Sequence, residues 1–439
     1  MKPNILVFFT DQQRFDTLGV NGQPLPVSPV LDRMAKEGVN FTKAYTAQPV
    51  CGPTRALLQT GLYPTQVGCH INNRSLPHDA DTVARRLKRS GYDVAYVGKW
   101  HLASDETVNH QQSAVPPQRR GGYDGYWMAA DILEFTSHGY DGFVFDKDGK
   151  KMEFTGYRPD CITDYALDYL DTRTQDEPFF LFLSNIEPHH QNNRDRYEGP
   201  EGSKEKYANF TPGLELIPGE GDWEAQYPDY LGCCNALDQN LGRVIDKLKA
   251  KGLYDNTIII FTTDHGCHFK TKKNEAINGG FDDYKRNCYE SVIHIPMVIR
   301  GPGFAGGKTD DRMVSLLDIP KTIITAAGAD ATGMLGDALQ NPTCGDWKKE
   351  VYVQISESFL GRAIRDARYT YCVYAPDKNP VSNSHANVYQ SRCLYDNFTD
   401  PLQRVNQLDN PDYSNALDDM KKRLIKKAAE AGETFEIRD

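Results

Sequence analysis

One segment of the sequence places a thiol and a guanidinium one helical turn apart. Residues 49–61 read PVCGPTRALLQTG, with good helix formers after Pro53 and a glycine, Gly61, at the expected end. Cys51 therefore lies near a helix N-terminus, where free N–H groups and the helix dipole favour an anion. Arg55 lies on the same face and offers a fork of donors suited to a tetrahedral oxyanion. The alternative is a half-buried structural cysteine beside a surface arginine.

Polar side chains follow two apolar runs that have the pattern of buried parallel strands. Asp11 and Gln12 follow the first run, and Asp264 and His265 follow the second. In open α/β sheets, ligands bind at the carboxyl ends of the strands. A carboxylate and an amide oxygen there could bind a hard cation such as Ca²⁺, with a neutral imidazole as a further ligand. Plain strand-end turns are the alternative.

Three more segments place a lysine or a histidine beside a predicted strand. Lys99 and His101 occur in Gly-Lys-Trp-His, directly after an apolar run. His189 and His190 follow Glu-Pro after another apolar run, and Lys285 comes shortly before a third. Taken singly, each is as readily a surface lysine or a loop histidine with no role. Their order along the chain decides between the two interpretations.

That order resembles the motif set of the type I sulfatases, a family of the alkaline phosphatase superfamily. The resemblance extends over residues 11–290, and the elements that follow fit it as well. It implies that a maturase oxidises Cys51 to formylglycine, whose hydrate is the nucleophile. It also implies one Ca²⁺ held by Asp11, Gln12, Asp264 and His265. The family most often has Asp and Asn where this chain has Gln12 and His265, so both follow a variant pattern.

The resemblance implies hydrolysis of a sulfate monoester, with cations around the sulfate. Negative charge builds on the oxygens as the ester bond breaks. Arg55, Lys99 and Lys285, together with the metal ion, would stabilise that charge. Asp264 is the candidate to accept the proton of the attacking hydroxyl.

Histidines would move the remaining protons. The resemblance points to His189 as the group that protonates the departing alcohol, with His190 as the alternative. His101 would take a proton from the second hydroxyl of the hydrate, which expels sulfate and restores the aldehyde.

The apolar runs and helical patterns predict an α/β fold with a mostly parallel sheet up to about residue 330. After that, alternating patterns typical of an antiparallel sheet precede a helix over residues 416–432. The resemblance implies an alkaline-phosphatase-like arrangement of these elements. We therefore expect a catalytic α/β domain over residues 1–335 and a smaller C-terminal subdomain with an antiparallel sheet over residues 336–439.

Residues 104–158 are irregular and rich in Gly, Tyr and Asp, which predicts hairpins and loops above the sheet edge. Loops on such a scaffold usually carry substrate specificity. Four side chains there could stack on a sugar or form the small core of the insertion: Tyr123, Tyr126, Trp127 and His138.

Charge and composition restrict the partners. The chain has 439 residues and a formal net charge of −10, which argues against general binding to nucleic acid or to an anionic membrane. An anionic substrate therefore needs a local cationic pocket. No run approaches the roughly 20 apolar residues of a membrane span, and residues 5–9 are too few for the apolar part of a signal peptide. We expect a cytoplasmic protein with reduced cysteines, unless a leader has been removed.

The substrate expected from these features is a small sulfated carbohydrate, such as a glycosaminoglycan-derived mono- or disaccharide. One alternative is a phosphonate monoester or phosphodiester hydrolase of the same superfamily, which Gln12 and His265 favour. The pair Lys99 and His101 counts against it, because that pair resembles the sulfatase branch. The other alternative, a catalytically silent sulfoglycan-binding protein, is disfavoured because every chemical position is filled.

Overall fold

The computed structural model describes residues 2–173, 176–213, 215–272, 276–340 and 347–438. Within these residues, ten strands form one large sheet, two form a short ribbon and five form a second sheet near the C-terminus. Helices pack on both faces of the large sheet. None of the helices in the described ranges is long and apolar enough to cross a membrane.

The strands are β1 (Asn4–Thr10), β2 (Val39–Phe41), β3 (Ala44–Tyr45), β4 (Asp93–Lys99), β5 (Tyr126–Ala130), β6 (Asp141–Asp146), β7 (Lys151–Thr155), β8 (Phe179–Ser184), β9 (Thr257–Thr263), β10 (Met297–Arg300), β11 (Lys308–Asp310), β12 (Val314–Ser315), β13 (Glu350–Ile355), β14 (Gly361–Asp366), β15 (Tyr369–Tyr374), β16 (Val388–Asp396) and β17 (Glu436–Ile437). The helices are α1 (Pro29–Glu37), α2 (Cys51–Thr60), α3 (Val83–Arg89), α4 (Leu133–Thr136), α5 (Arg158–Thr172), α6 (Ser203–Lys206), α7 (Trp223–Ala250), α8 (Glu290–Ile293), α9 (Asp318–Ala326) and α10 (Ser414–Glu430).

The large sheet is parallel at its centre and mixed at its edges. Its strand order is β11-β2-β10-β9-β1-β8-β4-β5-β6-β7. The central strands β9, β1, β8, β4 and β5 are parallel to their neighbours, whereas β10 and β6 pair antiparallel with the block at either side. The predicted α/β class with a mostly parallel central sheet is therefore confirmed.

The central strands are apolar throughout because both faces of the sheet are covered. Along β1, Val7 and Phe9 point into one apolar layer and Leu6 and Phe8 into the other. Helices α2, α3 and α9 contribute to the first layer, and α1, α5 and α7 to the second. An uninterrupted apolar run is what a strand buried on both faces requires.

Parallel pairing brings the carboxyl ends of β1, β4, β8 and β9 to one edge of the sheet. Asp11 follows β1, Asp264 follows β9 and Lys99 is the last residue of β4. His189 comes five residues after the end of β8. The topology therefore gathers the predicted site residues at the edge where ligands bind in open α/β sheets.

The C-terminal sheet confirms the predicted change to antiparallel strands. β13 to β16 pair antiparallel, and the short β17 adds to β16 in parallel. Tyr352 and Ile364 of this sheet belong to the same apolar core as Val7 and Phe9 of β1. The two parts are thus packed around a continuous core, and the division at residues 335 and 336 stays a prediction.

Residues 104–158 are more regular than predicted. β5 is a parallel strand of the large sheet, and only β6 and β7 form the expected hairpin. Tyr123 and Trp127 are buried around the ring of Tyr96, so they belong to the core, and the sugar-stacking alternative is wrong for both. β5 was missed in the sequence because this strand has only five residues and follows several glycines.

The other two aromatic candidates of that region make local contacts. The Tyr126 hydroxyl donates to the carbonyl of Tyr165, 2.8 Å away. The His138 ring nitrogen Nε2 lies 3.1 Å from the Asn193 amide. Both side chains therefore have structural partners.

Candidate active site

Cys51 is the point on which several elements converge. Its sulfur lies 3.4 Å from Asp11 Oδ1, 3.4 Å from His265 Nε2 and 3.4 Å from Lys285 Nζ. The side chain is only 1% exposed. Burial raises the pKa of the Cys51 thiol, but the charges of Lys285 and Lys99 lower it well below its ordinary value. Residue 51 therefore lies where a negative charge is stabilised.

The local sequence explains why α2 begins at Cys51 and ends where predicted. Val50 is extended, so the helix starts at the next residue. At the other end, Gly61 has a φ of 71° and donates its N–H to the carbonyl of Leu57. Glycine is favoured at a left-handed position of this kind because it has no Cβ.

Asp11 is held by two cationic side chains. Its Oδ2 accepts hydrogen bonds from Lys99 Nζ at 2.7 Å and from Arg55 Nη2 at 3.1 Å. Burial and the neighbouring Cys51 raise the pKa of Asp11, but Lys99, His189 and Arg55 lower it below its ordinary value. Asp11 is therefore ionised and fixed in orientation.

Arg55 lies behind Asp11, away from the surface where a substrate enters. Its Nη1 donates to the carbonyl of Lys99 at 2.7 Å and to Ser184 Oγ at 2.6 Å. The side chain is 1% exposed. Arg55 therefore does not make the predicted direct contact with an oxyanion. Its guanidinium points to Asp11 and to the ends of β4 and β8. Arg55 positions the carboxylate instead.

Asp264 is the second buried carboxylate of the site. Its Oδ1 accepts the backbone N–H groups of Gln12 and His265, each at 2.9 Å. Its Oδ2 is buried without a hydrogen-bond partner among the described residues. Burial and the nearby charge of Asp11 raise the pKa of Asp264 to about 7. An orphaned oxygen beside a second carboxylate is an arrangement that a cation would satisfy.

The donor set therefore fits a divalent metal ion. Ligand atoms of Asp11, Cys51, Asp264 and His265 lie within 4.8 Å of one another, and all four side chains are buried. The amide oxygen of Gln12 accepts the backbone N–H of His190 at 3.0 Å. Gln12 thus lies beside this group, and its role as a ligand stays a prediction.

Lys285 and His189 form a close pair next to Cys51. Lys285 Nζ lies 2.8 Å from His189 Nε2, and His189 Nδ1 lies 2.6 Å from the carbonyl of His190. A ring nitrogen beside a carbonyl must carry the proton, so Nε2 accepts from the lysine. Burial lowers the pKa of Lys285, but Cys51 and Asp283 raise it above its ordinary value.

The structure also separates the two adjacent histidines. The His190 ring packs against Tyr197 and Tyr284, away from residue 51. The His189 ring lines the same cavity as Cys51. His101 lines it as well, and its ring helps to lower the pKa of Cys51. The geometry therefore favours His189 over His190 for the predicted proton transfer.

Backbone strain is concentrated at the site. Gln12, His101, Arg286 and Glu357 have φ values of 66°, 61°, 70° and 66°. Left-handed conformations cost non-glycine residues about 1–3 kcal/mol each and persist where surrounding contacts enforce them. Three of these residues line the cavity and Gln12 lies beside the metal-binding group, which agrees with a functional site.

The cavity above Cys51 has a volume of about 490 Å³. At its outer part stand two aromatic rings, Phe135 and Phe281, which are 45% and 47% exposed. Polar side chains also line the cavity: Asn72, Gln111, Glu134, Asn192, Asp283, Arg286 and Glu357. Most of these residues lie in no recognisable motif, although Asp283 and Arg286 lie close to Lys285 in the sequence.

Comparison with known proteins tests the predicted family membership. The family model for sulfatases matches residues 3–329. The chain belongs to the sulfatase family. A second model, for the C-terminal part of N-sulphoglucosamine sulphohydrolase, matches residues 278–430. The chain is accordingly a sulfuric ester hydrolase, and the predicted membership is confirmed. Proteins of this family are generally formylglycine-modified and dependent on a divalent metal.

Individual relatives cover almost the whole chain. An ulvan-active sulfatase of Formosa agariphila is 31% identical over 100% of this chain and 83% of its own length. An N-acetylglucosamine-6-O-sulfatase of Bacteroides thetaiotaomicron is 26% identical over 81% of this chain and 74% of its own. A crystal structure from Bacteroides fragilis assigned to the sulfatases superposes with a TM-score of 0.83 at 25% identity, over 98% of this chain and 96% of that one.

Proposed function

We propose that this sulfatase hydrolyses sulfate monoesters of small carbohydrates with a formylglycine derived from Cys51 and one Ca²⁺. The observation that carries the proposal is the position of residue 51. It lies at the floor of the cavity, within 3.4 Å each of a carboxylate, an imidazole and an ammonium group. A nucleophile at residue 51 therefore contacts both a cationic group and the metal-binding groups.

Two lysines would bind the sulfate group. Lys99 and Lys285 both line the cavity, although each is almost completely buried. Their ammonium groups flank residue 51, so they face the charge that develops on the sulfate oxygens as the ester bond breaks. In a buried site these charges are weakly screened, which strengthens their effect on a bound anion.

Formylglycine at residue 51 would supply, as its hydrate, one hydroxyl for attack at sulfur and a second from which a proton can be removed. Ca²⁺ held by Asp11, Gln12, Asp264 and His265 would supply positive charge for the sulfate and the nucleophile. The oxygen donors suit this hard cation. The unpartnered Oδ2 of Asp264 supports the assignment.

The proton for the leaving alcohol is assigned to the Lys285–His189 pair. His189 Nδ1 is committed to the carbonyl of His190, so only Nε2 can exchange a proton with a substrate. That nitrogen accepts a hydrogen bond from Lys285 Nζ, 2.8 Å away, so the lysine proton would pass through Nε2 to the departing oxygen, and solvent would return a proton to the pair after the alcohol has left. His101, at the other side of the cavity, is placed to take a proton from a hydroxyl on residue 51.

The outer part of the cavity supports a carbohydrate as the alcohol. Exposed rings such as Phe135 and Phe281 offer flat apolar faces to a sugar, and the amides of Asn72 and Gln111 offer hydrogen bonds to hydroxyls. A volume of about 490 Å³ suits a mono- or disaccharide better than a polymer chain. The relatives named as an ulvan-active sulfatase and as an N-acetylglucosamine-6-O-sulfatase support a carbohydrate sulfate as the substrate.

A screen of position-defined sulfated mono- and disaccharides, with detection of free sulfate, tests the proposal. We expect turnover of at least one sugar sulfate and little turnover of simple aryl sulfates. A phosphodiester run in parallel tests the related hydrolase chemistry. Activity on aryl sulfates alone, or on the phosphodiester alone, would contradict the proposed substrate class.

A further inference from the structure

Three thiols from distant parts of the chain meet in the interior, away from the active-site cavity. Cys372 of β15 and Cys393 of β16 are directly paired across the C-terminal sheet. Cys288, from the segment before α8, completes the group, and the three sulfur atoms lie within 4.8 Å of one another. Their side chains are nearly inaccessible, with exposures of 4%, 0% and 7% for Cys288, Cys372 and Cys393.

The surroundings of this thiol cluster (Cys288, Cys372 and Cys393) are apolar. Val292, Val353 and Phe359 belong to the same buried cluster of side chains. Among the described residues, no histidine or carboxylate joins the three sulfurs as a ligand. Arg392 is the nearby charged group, with its guanidinium 4.2 Å from the centre of the Phe359 ring. Sulfur is thus the main ligand type available at this place.

The spacing of the sulfurs suits a thiophilic metal ion. With metal–sulfur bonds of about 2.3 Å, thiolates around a tetrahedral ion stand about 3.8 Å apart. Sulfurs already within 4.8 Å of one another reach that distance by shifts of about 1 Å. We infer that the thiol cluster is a second metal site, which binds one thiophilic ion of the Zn²⁺ or Cu⁺ class.

Charge and proton balance are consistent with such a site. Binding of the ion displaces three thiol protons to solvent, and no oxidation takes place. Three thiolates and Zn²⁺ carry a net charge of −1, which the single charge of Arg392 offsets.

The site would fasten the active-site segment to the C-terminal sheet. Cys288 lies three residues after Lys285 and two after Arg286, whose Nε donates to Glu357 Oε2 at 2.6 Å. A metal bound to Cys288 would add a further connection between the same two parts. This function is independent of the sulfatase reaction, because none of the three thiols lines the cavity at residue 51.

Metal analysis of the full-length enzyme tests the inference. The protein is saturated with Ca²⁺, incubated with Zn²⁺ or Cu⁺ under reducing conditions, desalted and analysed for bound metal. We expect one equivalent of at least one of these ions per chain, lost in the variants Cys372→Ala and Cys393→Ala. Cys233→Ala, which removes a buried thiol on α7, is the matched control and should keep the metal. Retention of the ion in both cluster variants would overturn the inference.

Alkylation of the unmutated protein gives an answer even where a variant fails to fold. Under mild denaturant, bound Zn²⁺ should slow alkylation of Cys288, Cys372 and Cys393 by about tenfold or more, and leave that of Cys233 unchanged. Peptide mass mapping assigns each site. Equal alkylation with and without metal, or a mass that reveals a Cys372–Cys393 disulfide in the native enzyme, would overturn the inference. Neither readout depends on sulfate release, so failure here is distinct from failure of the proposed function.

Discussion

The two ends of the active-site cavity are built differently. Its inner end consists of Asp11, Cys51, Lys99, Asp264, His265 and Lys285, none of them more than 1% exposed. Most of these side chains stand on or directly after strands of the large sheet, or at the start of α2. Its outer end consists of residues from loops and from the short helix α4, including the rings of Phe135 and Phe281, which are nearly half exposed.

This difference indicates that the two ends of the cavity have different functions. Charged groups at the inner end are buried and hydrogen-bonded to one another, so they are oriented before a substrate arrives. The two rings at the outer end, Phe135 and Phe281, are nearly half exposed and would touch only the part of a substrate beyond the sulfate. We expect changes at the inner end to reduce the rate of the chemical step, and changes at the outer end to alter affinity and selectivity.

The largest effect is expected for Cys51→Ala. Without the precursor of the nucleophile, sulfate release should fall by about 10⁴-fold or more, because a covalent route is removed. Cys233→Ala removes a buried thiol elsewhere and should keep full activity. Circular dichroism checks that both variants fold. Sulfate release by Cys51→Ala at the rate of the unmutated enzyme would contradict the assignment of the inner end.

Removal of the metal ion should have the second-largest effect on activity. Chelation is expected to reduce kcat/KM by about 10³-fold, since a bound cation contributes several kcal/mol to charge stabilisation. Added Ca²⁺ should restore the activity. Asp264→Asn should lose the activity and the response to Ca²⁺, whereas Asp311→Asn, at an exposed aspartate, should behave like the unmutated enzyme. Full activity after exhaustive chelation would count against the metal site.

Lys285→Met should lower kcat by about 10²-fold, because one ammonium group facing the sulfate is lost together with the partner of His189. Lys204→Met, on the exposed α6, is the matched control. Steady-state kinetics on the best sugar sulfate separates kcat from KM. An effect confined to KM would mean that Lys285 binds substrate and transition state equally.

The smallest effects belong to the outer end. Phe281→Ala and Phe135→Ala should each raise KM by about three- to tenfold with little change in kcat, in keeping with the modest energy of a ring contact. Phe398→Ala removes a ring that is 82% exposed outside the cavity and serves as the control. If either rim variant lowered kcat as strongly as Lys285→Met, the proposed division between the two ends would be wrong.

The inner end was largely predictable from the sequence. Asp11 and Asp264 follow uninterrupted apolar runs, and parallel strands bring such ends together at one edge. Cys51 begins a helix that Gly61 ends, as its neighbours indicate. What the sequence could not give is the direction of each side chain. Arg55 turns to Asp11 instead of the cavity, and His189 faces Lys285, because folded contacts decide these orientations.

The outer end was not predictable. Phe135, on the short helix α4, and Phe281, on a loop, are 146 positions apart in the sequence numbering and come to line one cavity only in the folded chain. Tyr123 and Trp127 looked equally suited to a sugar, yet β5 carries Trp127 into the core. Periodicity identifies faces of strands and helices, whereas exposure of a ring on a loop depends on what packs around it.

The measurement that tests the central claim most directly is the mass of the peptide containing residue 51, taken from a preparation that releases sulfate. We predict a mass about 18 Da below that of the cysteine form, as expected when a thiol is replaced by an aldehyde. A hydrazide reagent should label the same peptide, and Cys51→Ala should give no labelled product. An active preparation whose residue 51 is entirely unmodified cysteine would contradict the account.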